Sequence, residues 1–275
     1  MSNLLIFGMG YTARAVAAAL PGWRIAGTTR DGRDGTIVFG DDVAVRLALA
    51  TSTHVLSSVP PEGEADPVLD RYGDALAGCW LGYLSSTGVY GDAGGAWVDE
   101  TAPIGGGRRS ARATADAGWL DRGARVFRLP GIYGRGRSAL ERVASRRAHR
   151  VDMAGQIFSR VHVDDIAAGV VAGFDAPAGG YNLADDRPTS QNDVVDFAAA
   201  LLGLPAPPFV DLAALSPMAR GFYAENRRVA NGRAKRVLGW TPRYPDYRAG
   251  LRALSAITSP IPVSTPPAAA SSDQR

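Results

Sequence analysis

A short apolar run passes directly into a glycine turn and then into a helical pattern near the start of the chain. Residues 4–7 are Leu-Leu-Ile-Phe, and residues 8–13 are Gly-Met-Gly-Tyr-Thr-Ala. Gly8 allows a tight turn, Gly10 lets the backbone approach a bound group, and the small Ala13 lets helix and strand pack closely. The pattern predicts a strand–turn–helix unit whose free N–H groups attract phosphate. An ordinary turn with incidental glycines is the alternative.

Strand and helix patterns continue to alternate along the first half of the chain. Further strands are predicted at 23–28, 36–39, 54–59, 80–84 and 125–129, with helices at 43–49, 66–76 and 108–122. This alternation is typical of an α/β protein with a Rossmann doubly wound parallel sheet. After Gly134 the alternation is less regular, and helices are predicted at 191–202, 234–238 and 249–257.

Open α/β sheets bind ligands just beyond the carboxyl ends of their strands, so a dinucleotide cofactor is expected there. The expected contacts come from the glycine turn and from the ends of the second, fourth and fifth strands. They are Gly8, Met9, Gly10, Tyr11, Thr12, Thr29, Arg30, Ser57, Ser58, Val59 and Ser86. We therefore predict an NAD(P)-binding Rossmann domain over 1–134. A smaller C-terminal substrate lobe is predicted over 135–257, with segments returning to the sheet, and a disordered Pro/Ala/Ser-rich tail over 258–275.

The end of the second strand distinguishes the two nicotinamide cofactors. An acidic residue there accepts hydrogen bonds from the ribose 2′-OH of NAD, whereas an arginine accommodates the 2′-phosphate of NADP. Thr29 and Arg30 precede Asp31 in this chain. The order favours NADP over NAD, unless Arg30 is only a solvated surface residue.

Composition excludes several classes of function. The formal net charge of +3 and the dispersed arginines do not indicate a nucleic-acid partner. The single cysteine, Cys79, excludes an intrachain disulfide, and the three separated histidines do not predict a metal site. No apolar run approaches the ~20 residues that span a bilayer, and no secretory signal pattern is present. We expect a cytoplasmic protein, monomer or homodimer, whose partner is a small-molecule substrate.

Six segments, taken in order, resemble the extended short-chain dehydrogenase/reductase superfamily, the nucleotide-sugar epimerases and dehydratases. They are Ser-Ser-Thr-Gly-Val-Tyr-Gly at 85–91, Trp-Val-Asp-Glu-Thr-Ala-Pro at 97–103, Arg-Leu-Pro-Gly-Ile-Tyr-Gly at 128–134, Arg-Val-His-Val-Asp-Asp-Ile-Ala at 160–167, Gly-Tyr-Asn-Leu at 180–183 and Leu-Gly-Trp-Thr-Pro at 238–242. The resemblance runs from about residue 3 to 255. It implies an NAD(P) cofactor and hydride-transfer chemistry. The Gly-x-Gly-x-x-Ala turn is similar to that of atypical bacterial members with unknown substrates.

The resemblance fails at the family's catalytic residues. The family uses a Ser/Thr, which Ser86 matches, together with a Tyr and a Lys four residues after it. Those two positions fall near Arg108 and Arg112. The only lysine of the chain is Lys235, and no tyrosine lies four residues before it. The Tyr-x-x-x-Lys pair is therefore absent, and only the cofactor site follows from the resemblance.

Other residues are candidates for the missing chemistry. Arg112 is a permanent cation that cannot act as a base, because a guanidinium stays protonated in proteins. Tyr133 and Tyr90 are candidate replacement phenols, although a tyrosine in such a turn often packs or caps a loop. With Ser86, the predicted catalytic residues are Arg112 and Tyr133. An anionic substrate is favoured by a set of arginines that form bidentate hydrogen bonds, namely Arg108, Arg112, Arg135, Arg137 and Arg160.

Two functions fit these features. The first is an NAD(P)-dependent oxidoreductase of the epimerase/dehydratase-like type, in which the cofactor transfers hydride and the protein orients it. The second is a non-catalytic NAD(P)-binding redox sensor or regulator, which the missing Tyr and Lys favour. The substrate and the direction of reaction stay open.

Overall fold

The computed structural model of the chain describes residues 2–107 and 110–258. The predicted tail lies outside these residues, except for Thr258 at the end of the last helix, and so does Arg108.

Strands and helices alternate through most of the described chain. The strands are β1 (Asn3–Phe7), β2 (Arg24–Thr29), β3 (Ile37–Val38), β4 (His54–Ser57), β5 (Trp80–Ser86), β6 (Trp97–Val98), β7 (Arg125–Leu129), β8 (Gly131–Tyr133), β9 (Arg150–Val151), β10 (Arg160–His162), β11 (Gly179–Asn182), β12 (Phe209–Val210) and β13 (Arg228–Val229). The helices are α1 (Tyr11–Ala18), α2 (Asp42–Ala50), α3 (Pro67–Tyr72), α4 (Ser110–Asp121), α5 (Ala139–Ala144), α6 (Val163–Ala172), α7 (Gln191–Leu201), α8 (Pro217–Tyr223), α9 (Gly232–Leu238) and α10 (Tyr247–Thr258).

Seven parallel strands form the central sheet in the order β11-β7-β5-β4-β1-β2-β3. The sheet order changes direction between β1 and β4, where a doubly wound sheet opens a crevice at its carboxyl edge. The predicted α/β class and Rossmann topology are confirmed. Three pairs of short strands lie outside this sheet, and they are β8 with β10, β9 with β12, and β6 with β13.

Side chains alternate between the two faces of the sheet because successive residues of a strand point to opposite sides. In β1, Leu4 and Ile6 pack into the core that includes α1 and α6. Leu5 and Phe7 pack into the opposite core, which includes residues of α2, α3 and α4. Helices on both faces cover the sheet and leave its carboxyl edge as the place where a ligand can reach several strands.

A separate apolar cluster lies in the second half of the chain, where α5, α7 and α10 pack against one another. Leu140 of α5, Val195 of α7 and Leu251 of α10 are buried in it. One later segment, β11, pairs with β7 as the outermost strand of the central sheet. The domain boundaries proposed from the sequence stay a prediction.

Candidate dinucleotide and substrate site

The glycine turn between β1 and α1 is held by backbone contacts to the neighbouring strands. Gly8 adopts a φ of 80°, a left-handed conformation that favours glycine. Its N–H donates to Thr28 Oγ1 at 3.2 Å, and the Met9 N–H donates to the Thr28 carbonyl at 2.8 Å. A Cβ on Gly8 would lie 3.1 Å from Val59 Cγ2, so the turn packs closely against the end of β4.

Gly10 is the N-cap of α1, and no side chain caps this helix. A Cβ added to Gly10 would meet no protein atom nearer than the Gly8 carbonyl oxygen at 3.9 Å. The absence of a side chain therefore leaves open space directly beside the first turn of the helix. Uncapped N–H groups and the positive end of the helix dipole suit a phosphate group at this point. These residues fit the pyrophosphate of a dinucleotide.

The end of β4 lies beside the turn. The Ser58 N–H donates to the Phe7 carbonyl at 2.9 Å, which joins the ends of β4 and β1. Ser57 is fully buried, and its hydroxyl accepts from the Val59 N–H at 3.4 Å. Thr12 of α1 is also buried. The structure thus brings the turn and residues 57–59 together at one edge of the sheet.

Tyr11 extends away from the turn toward the loop that follows β8. Its hydroxyl donates to the Arg135 carbonyl at 3.1 Å, and the Arg137 guanidinium lies 5.7 Å from the centre of its ring. Burial raises the pKa of this phenol. Tyr11 therefore connects the predicted cofactor turn to the second half of the chain.

The end of β2 presents one arginine without an ion pair among the described residues. Arg30 is exposed. Asp31, by contrast, lies 3.8 Å from the Arg33 guanidinium, and a hydrogen bond from the Thr29 side chain helps to lower its pKa. The Thr29 hydroxyl also lies 2.7 Å from that of Thr36. The acidic residue is engaged locally, while Arg30 is available at the surface.

One cleft of about 720 Å³ adjoins the turn and extends into the second half of the chain. Four of the residues predicted to bind the cofactor or to be catalytic line it together, and they are Thr12, Ser58, Ser86 and Arg112. Its far part is lined by residues that the sequence had not singled out, including Arg142, His149, Phe158 and Tyr223. The first turn of α1 and the ends of β4 and β5 therefore share one cleft with Arg112.

Ser86 and Arg112 reach the cleft from neighbouring elements. The Ser86 hydroxyl, at the end of β5, accepts from the Gly88 N–H at 3.1 Å. Arg112, in the first turn of α4, donates through Nη1 to the Tyr83 hydroxyl at 2.8 Å. The only lysine, Lys235, lies in α9 and binds Asp186 at 2.6 Å instead. A permanent cation and a serine hydroxyl thus line the same cleft.

The two candidate phenols are engaged elsewhere. The buried Tyr133 hydroxyl donates to the Asp246 carbonyl at 3.5 Å, and the side chain lines an adjoining cavity of about 420 Å³. Tyr90 accepts a hydrogen bond from Arg128 at 3.0 Å and donates to Asn182 Oδ1 at 2.8 Å. Burial raises the pKa of both phenols. The structure does not bring Tyr133 together with Ser86 and Arg112, and its catalytic role stays a prediction.

The arginines named as anion ligands differ in their surroundings. Arg160 is buried, and its guanidinium donates to the carbonyl oxygens of 158, 189 and 190 and to Gln191 Oε1. Its hydrogen-bonding groups therefore connect segments of the chain. Arg137 is exposed in the cleft wall without an ion pair among the described residues. The same holds for Arg142, which was not among the predicted anion ligands. Arg135 offers its backbone carbonyl to Tyr11.

Residues 2–107 and 110–258 contain neither a membrane-spanning helix nor a cluster of metal ligands. No helix in this part of the chain is long and apolar enough to cross a membrane. No group of histidine, cysteine, aspartate and glutamate residues within 2–107 and 110–258 is arranged to hold a metal ion.

Comparison with solved structures defines the class of protein. A dTDP-glucose 4,6-dehydratase from Bacillus anthracis, in complex with NAD, matches with a TM-score of 0.74 and 14% identity over 93% of this chain and 96% of that chain. A human epimerase family protein with NADPH matches with a TM-score of 0.69 and 18% identity over 92% and 99% of the two chains. The fold is that of the extended short-chain dehydrogenase/reductases, as the motifs implied.

A closer relative defines the family. A functionally unknown conserved protein from Silicibacter pomeroyi is 42% identical over 94% of this chain and 99% of its own length, with a TM-score of 0.85. The chain belongs to the same family as this protein.

One further relative matches only part of the chain. A 3-diazoavenalumate denitrifying reductase from a Streptomyces species is 36% identical over 101 residues, which are 34% of this chain and 33% of the reductase. The match thus spans about a third of the reductase. No protein-family model matches the chain.

The fold also brings together residues from distant positions that no sequence pattern had indicated. Tyr83 lies within the apolar pattern of β5 and gave no signal beyond a core position, yet it holds Arg112. Asp116 pairs with Arg128 and accepts from Ser85 at 2.7 Å. A buried charge within a predicted amphipathic helix was the only signal that could have identified Asp116.

Proposed function

We propose that the chain is an NAD(P)-dependent oxidoreductase of the epimerase/dehydratase-like type, with NADP as the preferred cofactor and an anionic small molecule as substrate. The observation that carries this proposal is the shared cleft. Thr12, beside the open glycine turn, lines the same space as Ser86 and Arg112.

The cofactor, when bound, supplies the hydride donor or acceptor. The Gly8–Gly10 turn and the first turn of α1 would hold its pyrophosphate. Ser86 would donate a hydrogen bond to the substrate oxygen whose bond to carbon changes between single and double during hydride transfer. Arg112 would stabilise negative charge on that oxygen or near the cofactor ribose, but it would not accept a proton, because a guanidinium stays protonated.

The NADP preference rests on the end of β2. Arg30 is exposed, while Asp31 is engaged by Arg33 and Thr29. A 2′-phosphate carries the charge that an arginine binds in a bidentate fashion. The relatives with NAD and NADPH support a nicotinamide cofactor without separating the two.

The anionic substrate rests on the charges of the cleft wall. Arg112, Arg137 and Arg142 all line it, and the Glu225 carboxylate that also lines it is paired with Arg227 at 2.8 Å. The cleft therefore carries an excess of positive charge, which favours a phosphate or carboxylate group.

Calorimetry with NADP(H) and NAD(H) on wild type and Gly10→Asp tests the cofactor. Gly10 has a φ of −90°, so aspartate fits the backbone, and its side chain enters the open space with a negative charge. We expect wild type to bind NADPH more tightly than NADH and the variant to lose at least about 2 kcal/mol of binding free energy through lost phosphate contacts. No binding by wild type would overturn the proposal, and a clear preference for NADH would overturn the NADP assignment.

Turnover separates an enzyme from a redox sensor. We expect the protein to oxidise NADPH in the presence of some members of a panel of carbonyl compounds that bear phosphate or carboxylate groups. The loss of NADPH absorbance measures the rate. Arg112→Met should lower that rate by at least about tenfold if the cation stabilises charge in the transition state. Tight cofactor binding without turnover across the panel would favour the non-catalytic sensor.

A further inference from the structure

Tyr83 is a buried tyrosine at the centre of β5 whose hydroxyl contacts the cleft-lining Arg112. The side chain of Tyr83 is 0% exposed, and its hydroxyl accepts the hydrogen bond from Arg112 Nη1 at 2.8 Å. Its ring stacks on that of Trp119, with 5.5 Å between the centroids and 9° between the planes. The Trp119 indole N–H in turn donates to Asp66 at 2.9 Å. Burial and the stacking on Trp119 therefore hold the Tyr83 ring in place independently of its hydrogen bond with Arg112.

The contact constrains a side chain that would otherwise be flexible. Arg112 is half-buried in the wall of the cleft, and its guanidinium lies 5.9 Å from the centre of the Tyr83 ring. A long arginine side chain loses considerable rotamer freedom when it is held in one geometry. Because the Tyr83 hydroxyl already restrains Arg112, this side chain loses less conformational entropy when a ligand binds.

Tyr83 itself is not suited to proton transfer. Burial raises its pKa to about 12, although the Arg112 cation acts in the opposite direction. At neutral pH the phenol stays protonated and offers Arg112 a neutral oxygen. Its influence on a ligand must therefore pass through the guanidinium.

We propose that Tyr83 is a positioning residue whose hydroxyl holds the Arg112 guanidinium at the cleft wall, where Arg112 contacts the nicotinamide ribose of the cofactor. The proposal rests on the proposed function, because it needs a dinucleotide in the cleft. In place of the missing Tyr-x-x-x-Lys pair, the chain would use a tyrosine from β5 and an arginine from α4. The tyrosine of this new pair orients the cation and exchanges no proton.

The experiment compares two ligands that share one half. NADPH contains the nicotinamide ribose, whereas 2′,5′-ADP contains only the adenosine phosphate half. Tyr83→Phe keeps the stacked ring and removes only the hydroxyl. We expect this variant to bind NADPH about tenfold more weakly, from loss of one hydrogen bond to a charged group, and 2′,5′-ADP within about twofold of wild type. If wild type binds only NADH, NADH and ADP take the places of these ligands.

A double-mutant cycle shows whether Tyr83 acts through Arg112. In an Arg112→Met background, Tyr83→Phe should weaken NADPH binding no further. Tyr181→Phe is the matched control, because the Tyr181 hydroxyl is another phenol of the central sheet and donates to the Pro177 carbonyl at 2.6 Å. It should leave both affinities unchanged, and thermal melting should show that every variant folds.

The outcomes distinguish the two proposals. If wild type binds neither dinucleotide, the proposed function and this inference are both overturned. If wild type binds NADPH and Tyr83→Phe binds it equally well, only the positioning role is overturned. Equal weakening of NADPH and 2′,5′-ADP, or additive effects in the cycle, would also overturn it, because a general structural effect would act on both halves of the ligand.

Discussion

Asp116 and Arg128 form an ion pair from which solvent is excluded. Their side chains are 0% and 4% exposed, and two hydrogen bonds of 2.8 and 3.1 Å join the guanidinium to the carboxylate. Ser85 also donates to Asp116, and Tyr90 accepts from Arg128. A buried pair of this kind fixes one arrangement of side chains, because each charge needs its partner.

Removal of one partner should be costly. Asp116→Ala leaves the Arg128 guanidinium buried without its counter-charge, and we expect the free energy of unfolding to fall by about 3–5 kcal/mol. Asp74→Ala breaks the exposed pair between Asp74 and Arg46, whose side chains are 69% and 45% exposed, and we expect it to lower the free energy of unfolding far less than Asp116→Ala. Urea denaturation measures both, and similar losses in the two variants would contradict the role assigned to burial.

The glycine turn shows which candidate site residues a sequence can indicate. Gly8 and Gly10 were identified because their spacing follows from local backbone geometry. Arg112 followed from its place in a family motif. Tyr83 and Asp116 were missed because their partners lie on another element, and nothing local separates a buried tyrosine with a partner from one that only packs.

Among the elements, helices with capping signals and strands with apolar runs were predicted close to their observed bounds. The predicted strand at 125–129 is the observed β7, and the predicted helix at 191–202 is α7 without its last residue. β11 was missed, because Gly-Gly-Tyr-Asn has no apolar alternation. It forms as the edge strand that pairs with β7, so tertiary contacts decided its conformation.

Asp66 links two elements. Its carboxylate caps α3 by accepting from the N–H groups of Val68 and Leu69 at 3.0 Å, and it accepts from Trp119 of α4. The side chain is buried, so its loss leaves an indole N–H and two backbone donors without an acceptor.

We expect Asp66→Ala to lower the free energy of unfolding by about 2–3 kcal/mol, the sum of a lost cap and a buried donor without a partner. Asp41 caps α2 at an exposed position by accepting from Ala44 at 3.0 Å, and Asp41→Ala should cost only about 1 kcal/mol. Guanidinium denaturation of both variants makes the comparison, and a loss for Asp66→Ala no larger than that for Asp41→Ala would show that the link to α4 adds nothing.

At the scale of the whole molecule, the parallel sheet explains why sequence patterns could indicate a candidate cofactor site but not the residues on the far side of the cleft. The carboxyl ends of β1, β2, β4 and β5 meet at one edge in any doubly wound sheet, so the residues that follow them were expected to converge. The far wall of the cleft includes residues of α5 and α8 and His149, whose positions depend on the packing of the second half of the chain. Local sequence patterns do not predict that packing.

A buried carboxyl in that second half should make global stability depend on pH. Asp185 is 2% exposed, and burial raises its pKa to about 8, although the neighbouring Arg160 acts in the opposite direction. An aspartate in an unfolded chain has a pKa of about 3.9. Between these values the folded state binds more protons than the unfolded state, so stability falls as pH rises from about 4 to about 8 and then levels off.

Asp185→Asn mimics the protonated carboxyl at every pH. We therefore expect this variant to gain stability relative to wild type as pH rises, by up to about 1.4 kcal/mol per pH unit between pH 5 and 7, with little difference near pH 4. Asp121→Asn, which changes an exposed carboxyl at the end of α4, should track wild type throughout. Urea denaturation at several pH values measures the trend. A constant difference between Asp185→Asn and wild type would mean that Asp185 is already ionised across this range, and that the second half of the chain holds its charge by contacts stronger than those that surround it in this structure.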